Sequence, residues 1–239
     1  MREKEEKPDP LATWQPRTTI GKKVKAGEIT AIGDLLDAGT PILEPEIVDT
    51  LLPSLETDLL LIGQSKGKFG GGQRRVFRQT QKKTQEGNKP SFAALAVVGN
   101  KNGFVGVGYG KSRETVPARE KAVRAAKLNV MRIRRGSGSW QSRSRQPHSI
   151  PFAVVGKCGS IRLKFMPAPK GTGLVAGSEI QKILRLAGIQ DVWSELQGKS
   201  KSRVNVIYAC VDALQKLVTT KTQPHHKDLL GIVEGDIHG

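Results

Sequence analysis

Four scarcities bound this chain before any motif is sought. Aromatic residues make up 5% of its 239 residues, too few for base stacking to be the main mode of nucleic-acid binding. The two cysteines, Cys158 and Cys210, stand far apart, with no C-x-x-C and no neighbouring histidine at metal spacing. Two small buried residues are expected there, not a disulfide or a zinc site. No segment approaches the ~20 consecutive apolar residues of a membrane span, and the opening MREKEEKPDP lacks the apolar stretch of a secretory signal. A cytoplasmic protein with no membrane partner is expected. The fourth scarcity is the most informative: residues 121–178 contain no aspartate or glutamate, yet hold twelve lysines and arginines.

What is present follows the same division. Residues 1–58 carry 7 basic and 12 acidic side chains, residues 59–178 carry 24 and 3, and residues 179–239 carry 8 and 7. The net charges are −5, +21 and +1, within a total of +17. A compact unit of one sign repels itself unless a polyanion neutralises it, and a nucleic-acid backbone does so while releasing condensed counterions. The only carboxylates in the basic middle are Glu86, Glu114 and Glu120, which leaves general acid/base chemistry little to work with and points away from an enzyme. No metal or other cofactor is expected; His225, His226 and His238 read as a polar tail.

The cations fall into clusters. Lys66, Lys68, Arg74, Arg75 and Arg78 surround a glycine-rich loop, Lys111 and Arg113 precede a helix, and Arg132, Arg134 and Arg135 are expected to end it. Arg143 and Arg145 lie in a Gly/Ser/Arg stretch, Lys157, Arg162 and Lys164 line a hairpin, and Lys170 adjoins a pair of glycines. Glycine loops let backbone and guanidinium groups approach phosphates closely, and arginine forks fit them bidentately. With ~8 such contacts, affinity falls with a log-log salt slope near −7 on a duplex. Trp140 is the one candidate stacker, or else an anchor packed within its segment. The balance favours a binder of folded RNA shape and backbone.

The periodicities predict an α+β protein. Residues 1–58 read as an acidic, partly helical extension. Residues 59–133 form a β-β-β-α domain: strand-like runs at 59–62, 91–99 and 104–110, the last two joined by Asn102-Gly103, then a helix over about 115–131. Residues 134–149 are expected to be a basic linker. Residues 150–218 read as a β-β-α-β-α domain, in which Ile161, Leu163 and Phe165 alternate with Arg162 and Lys164. Residues 219–239 are left as a tail without periodicity.

Two glycine fingerprints test for nucleotide binding. Gly106-Val-Gly108-Tyr-Gly110-Lys111-Ser112 falls one residue short of a P-loop. Gly171-Thr-Gly173-Leu-Val-Ala176, with Asp191 about 20 residues on, does fit a dinucleotide fingerprint. Its context is wrong, because Pro167 and Pro169 intervene and the preceding strands read as an antiparallel hairpin. Backbone packing or an RNA-phosphate contact explains these glycines better.

Several motifs in order carry a resemblance. Phe92-Ala-Ala-Leu-Ala-Val-Val-Gly99, Asn102-Gly103-Phe-Val-Gly-Val-Gly108 and Ala118-Arg-Glu-Lys121-Ala122 resemble the first domain of the universal small-subunit ribosomal protein five family. Pro147-His148-Ser-Ile-Pro151-Phe, Gly156-Lys-Cys-Gly159-Ser, Pro167-Ala-Pro-Lys-Gly171-Thr-Gly173 and Leu186-Ala-Gly188-Ile-Gln-Asp191 resemble its second. The resemblance implies a double-stranded-RNA-binding-like first domain and a second domain with a β-α-β-α core. It implies contacts with small-subunit ribosomal RNA and neighbouring proteins, including protein four near Gly159. It further implies a place beside the path by which messenger RNA enters the subunit, and an influence on decoding accuracy. The extension and the polar insertion at 79–89 resemble the archaeal and eukaryotic branch. A free double-stranded-RNA-binding module is the alternative.

Overall fold

The computed structural model describes residues 14–65, 72–142 and 145–235, which belong to two compact units, Met1–Leu55 and Glu56–Gly239. The first unit holds three short helices, α1 (Thr19–Lys25), α2 (Ile32–Asp37) and α3 (Pro45–Leu51). None is long enough to persist alone. Val24, Ile32, Leu35, Ile47 and Val48 supply their buried apolar residues, and Glu44 ties the start of α1 down. Its Oε1 accepts the backbone N–H of Arg17 (2.8 Å) and of Thr18 (2.7 Å), and its Oε2 accepts the indole N–H of Trp14 at 3.0 Å. Burial alone would raise the Glu44 pKa, but these donors favour the ionised form and hold it below the ordinary value.

The second unit begins with β1 (Glu56–Leu60), β2 (Arg78–Thr84), β3 (Gly87–Gly99) and β4 (Phe104–Ser112), followed by α4 (Thr115–Leu128), β5 (Val130–Arg132) and the two-residue β6 (Arg134–Arg135). The first sheet runs β1-β3-β4-β5, all antiparallel. β2 pairs with the N-terminal half of β3, on whose C-terminal half β1 lies. The polar insertion at 79–89 is therefore a β2–β3 hairpin turning at Gln85 and Glu86, after which Gly87, with φ +109°, opens β3.

Side chains alternate across these strands. Gly106, Gly108 and Gly110 face α4, where a Cβ on Gly108 would sit 2.1 Å from the Ala126 nitrogen and 2.4 Å from the Ala122 oxygen. Glycine on the strand and alanine on the helix let the two backbones meet. Leu95, Val97, Val105 and Val107 point to the opposite face and join the main core.

After β6 come β7 (Val154–Cys158), β8 (Ile161–Pro167), β9 (Leu174–Val175), α5 (Ser178–Ala187), β10 (Val192–Gln197), α6 (Arg203–Thr219), α7 (Pro224–Leu230) and β11 (Val233–Glu234). The second sheet has the order β7-β8-β10-β9. With the short β9 added, this is the expected β-β-α-β-α order, and the α+β class holds. Ile161, Leu163 and Phe165 are fully buried. Cys210 on α6 is buried as well, and burial pushes its thiol pKa up to about 12.

Three expectations are corrected here. The described part of segment 134–149 is not a linker between separate domains: Gly136 and Ser149 bridge, Ser137, His148 and Ser149 are buried, and one hydrophobic core runs from Leu60 on β1 to Leu217 on α6. Helix α5 binds the two sheets together. Glu179 Oε2 accepts the Leu61 N–H at 2.7 Å, while the C-terminal carbonyls of Leu186 and Ala187 accept the N–H groups of Lys101 (2.9 Å) and Gly103 (3.2 Å). Residues 219–235 are not a tail either, since they form α7 and then β11, which pairs antiparallel with β6. The helix expected to run to residue 131 ends at Leu128, and Val130 enters β5 instead.

Candidate nucleic-acid interface

The second sheet shows most plainly how sequence makes a cationic surface. Cys158 pairs with Ile161, so Gly159 and Ser160 form a two-residue turn, and Gly159 has φ +59°. That is the geometry a Gly-X hairpin supplies. Gly159 is exposed at the tip, and an added Cβ would meet only the Asn205 amide at 3.4 Å. Because β8 alternates, burying Ile161, Leu163 and Phe165 obliges Arg162 and Lys164 to face outward.

Lys157 lies directly across from Arg162, and Lys164 sits between Val155 and Glu195. The backbone N–H of Lys157 is held by Asp212 Oδ2 at 2.8 Å. Burial would raise the Asp212 pKa, but Lys216, 2.7 Å away, and that N–H together lower it. Lys157, Arg162 and Lys164 are exposed, as is Lys170, whose ammonium reaches Gln146 Oε1 at 2.8 Å.

On the first sheet, Lys111 and Arg113 are exposed where β4 leads into α4. Arg75 and Arg78 are exposed and Arg74 is half-buried, its guanidinium 3.3 Å from the Gly63 carbonyl. Arg145 is exposed. Lys66, Lys68 and Arg143 lie outside the described residues. Trp140 is 90% exposed, so it does not serve as a packed anchor.

Arg134 and Arg135 must be taken out of the RNA surface. They do not end a helix; they form β6 and are 6% and 3% exposed. Arg134 donates through Nε to Glu234 Oε1 (2.8 Å), through Nη1 to the Thr220 carbonyl (2.6 Å) and through Nη2 to the Val218 carbonyl (3.0 Å). It thereby caps the C-terminus of α6, where a cation also suits the helix dipole. Arg135 donates to Asn102 Oδ1 and to the Gly235 carbonyl, each at 2.9 Å. Arg132 is half-buried and pairs with Glu234 Oε2 at 3.3 Å. Buried as they are, neither the Arg134 nor the Arg135 guanidinium presents its fork to a phosphate at the surface.

Both glycine fingerprints resolve into packing. Gly106 to Gly110 lie flat against α4 and form no phosphate loop. The N–H groups of Gly171 (3.1 Å) and Gly173 (2.7 Å) both donate to Asp191 Oδ1. A carboxylate already occupies the place a pyrophosphate would need.

Sequence reasoning missed the rest of this knot. Asp191 Oδ2 lies 2.9 Å from His148 Nδ1, and His148 Nε2 is 3.5 Å from Ser137 Oγ. The residue types match a catalytic triad. However, all three are buried and the Ser137 separation is at the outer limit of a hydrogen bond. Ser149 Oγ donates to the Asp191 carbonyl, and the backbone N–H groups of Gln190 and Asp191 donate to the His148 carbonyl. The constellation fastens segment 137–149 to the start of β10.

Sequence reasoning also passed over exposed cations on the outer face of α4, namely Arg119, Lys121 and Arg124, and Lys82, Lys83 and Lys89 on the β2–β3 hairpin. For α4 the signal was available, because Ala118, Ala122 and Ala126 mark the inner face at helical spacing.

Comparison with known proteins agrees with this geometry. Residues 76–134 match the family described as ribosomal protein S5, N-terminal domain, and residues 156–225 match ribosomal protein S5, C-terminal domain. The chain is 48% identical over 227 residues to small ribosomal subunit protein uS5 of Nanoarchaeum equitans, covering 95% of this chain and 97% of that one. It is 46% identical over 224 residues to the protein of that name from Methanocaldococcus jannaschii, covering 94% and 96%. For the one from Staphylothermus marinus the identity is 48% over 205 residues, covering 86% and 89%.

Proposed function

The chain belongs to the ribosomal protein S5 family, and from that premise we infer a structural component of the small ribosomal subunit that binds ribosomal RNA and braces it during translation. The observation that carries this reading is the second sheet, with a fully buried Ile161, Leu163 and Phe165 row behind an exposed Arg162 and Lys164 row. One face is core, and the other presents cations to a phosphate backbone. The cations of the β2–β3 hairpin and α4 extend the surface available to folded RNA. Exposed aromatic residues are sparse, which suits recognition of backbone and shape.

At a finer level, the Gly159 hairpin is proposed to lie against protein four, and the basic face to sit beside the path by which messenger RNA enters. Through these contacts the protein would influence decoding accuracy. Work in the cytoplasm, on the ribosome, follows from the same reading. Sedimentation of native lysate at rising salt tests it. Co-migration with the small subunit that survives moderate salt is expected. Sedimentation as a free protein, or with heterogeneous RNA, would replace this reading with that of an independent double-stranded-RNA-binding module.

A further inference from the structure

A cleft of about 380 Å³ separates the chain leading into β2 from the start of α6. Arg74 and Arg78 line one wall, and Lys201, Ser202, Arg203 and Asn205 line the other. Among the described residues no carboxylate lines it and none of its four cations forms an ion pair. The Nε of Arg203 is buried and has no hydrogen-bond partner. A buried guanidinium N–H without an acceptor is unfavourable by itself, and a turn of the Arg203 side chain toward an anionic oxygen in the cleft would remove that penalty. The first turn of α6 adds to the positive potential: it contains no acidic residue, and Ser202 makes no side-chain capping bond.

We propose that this cleft is a seat for a single phosphate group, held by Arg203 and Lys201 from one side and by Arg74 and Arg78 from the other. The inference rests on the RNA-binding reading, which makes a phosphodiester the expected source, although a free phosphate ion has the same chemistry. Lys201 and Arg203 lie in the nearly neutral residues 179–239, so the charge map alone passes over them. A phosphate seated here joins segments more than a hundred residues apart and clasps α6 to the strand region before β2. It would thus couple RNA binding to the packing of the two sheets.

The test uses the full-length, 15N-labelled chain and follows the Arg203 Nε–H resonance by NMR. Inorganic phosphate is titrated at constant ionic strength against chloride, and then a fragment of small-subunit ribosomal RNA is added. The expected result is a saturable shift with phosphate that chloride does not reproduce. It should be weakened at least tenfold in an R78A/K201A variant, both of whose positions are exposed, so that the fold survives. If RNA produces the same shift and displaces phosphate, the source is a phosphodiester. If only free phosphate acts, the seat stands and its assignment to RNA is overturned. Identical responses to phosphate and chloride, or none, overturn the seat itself. RNA binding measured in parallel on the wild-type chain reports separately on the family reading.

Discussion

Replacing Arg134 by methionine separates cations that hold the fold from cations that hold RNA. The substitution keeps most of the side-chain volume but removes three donors, leaving the carbonyls of Val218 and Thr220 without their partner and Glu234 with Arg132 alone. A hydrogen bond to a charged group contributes about 1.5–3 kcal/mol, and bonds sharing one side chain do not add. The Arg134 side chain is 7% exposed and that of Glu234 is 25% exposed, so solvent recovers part of the loss. A net cost of about 3–4 kcal/mol follows, near the low end for breaking a buried pair. For a unit of this size that corresponds to a fall in Tm of about 6–16 °C.

The assay pairs thermal unfolding with the salt dependence of RNA binding, using R162A as control. Exposed Arg162 should leave Tm nearly unchanged and flatten the log-log slope by about 0.9 if it meets one phosphate. R134M should do the reverse. If R134M melts within about 2 °C of wild type and flattens the slope, Arg134 is an RNA ligand and its assignment to the scaffold is wrong.

Other perturbations probe the remaining supports. G108A should destabilise the second unit by about 3 kcal/mol or more, because its Cβ would be driven into the α4 backbone. G33A on α2, with open space around it, should be neutral or stabilising by up to about 1 kcal/mol in denaturant unfolding. D191A orphans the N–H groups of Gly171 and Gly173 and the His148 ring; a loss of about 3–5 kcal/mol is expected, and a value under about 1 would show that the knot is dispensable. Glu44 has a folded-state pKa below its unfolded value, so its stabilisation is complete above the unfolded pKa and is lost as pH falls through the folded one. The Trp14 indole N–H resonance should therefore move toward its free position as pH falls below the ordinary glutamate range, and E44Q should abolish that titration.

What could be read from the sequence depended on whether the signal was local. The alternation of β8 names its own inner and outer faces, and Asn102-Gly103 announced the β3–β4 hairpin. The end of α4 was misplaced because Val130 continues the helical spacing of Ala122 and Ala126, while pairing with Gly106 on β4 draws it into β5. Segment 134–149 looked like a linker because glycine and serine are also what flexible chains contain. Here a Cβ on Gly138 would lie 2.0 Å from the Pro151 carbonyl oxygen, so close backbone approach accounts for that glycine. Arg134 and Arg135 were misassigned for a related reason. Sequence gives the sign of a charge but not its direction, and Glu234 lies 100 residues beyond Arg134. The same distance problem hid the link between His148 and Asp191, 43 residues apart.

The most direct test of the account is lysine acylation, quantified residue by residue, in the intact small subunit and again after nuclease digestion. Lys111, Lys157, Lys164 and Lys170 are exposed on the protein itself. They should be protected in the subunit and become reactive once the RNA is removed. Full reactivity of these four lysines in the intact subunit would contradict the claim that these cations bind ribosomal RNA.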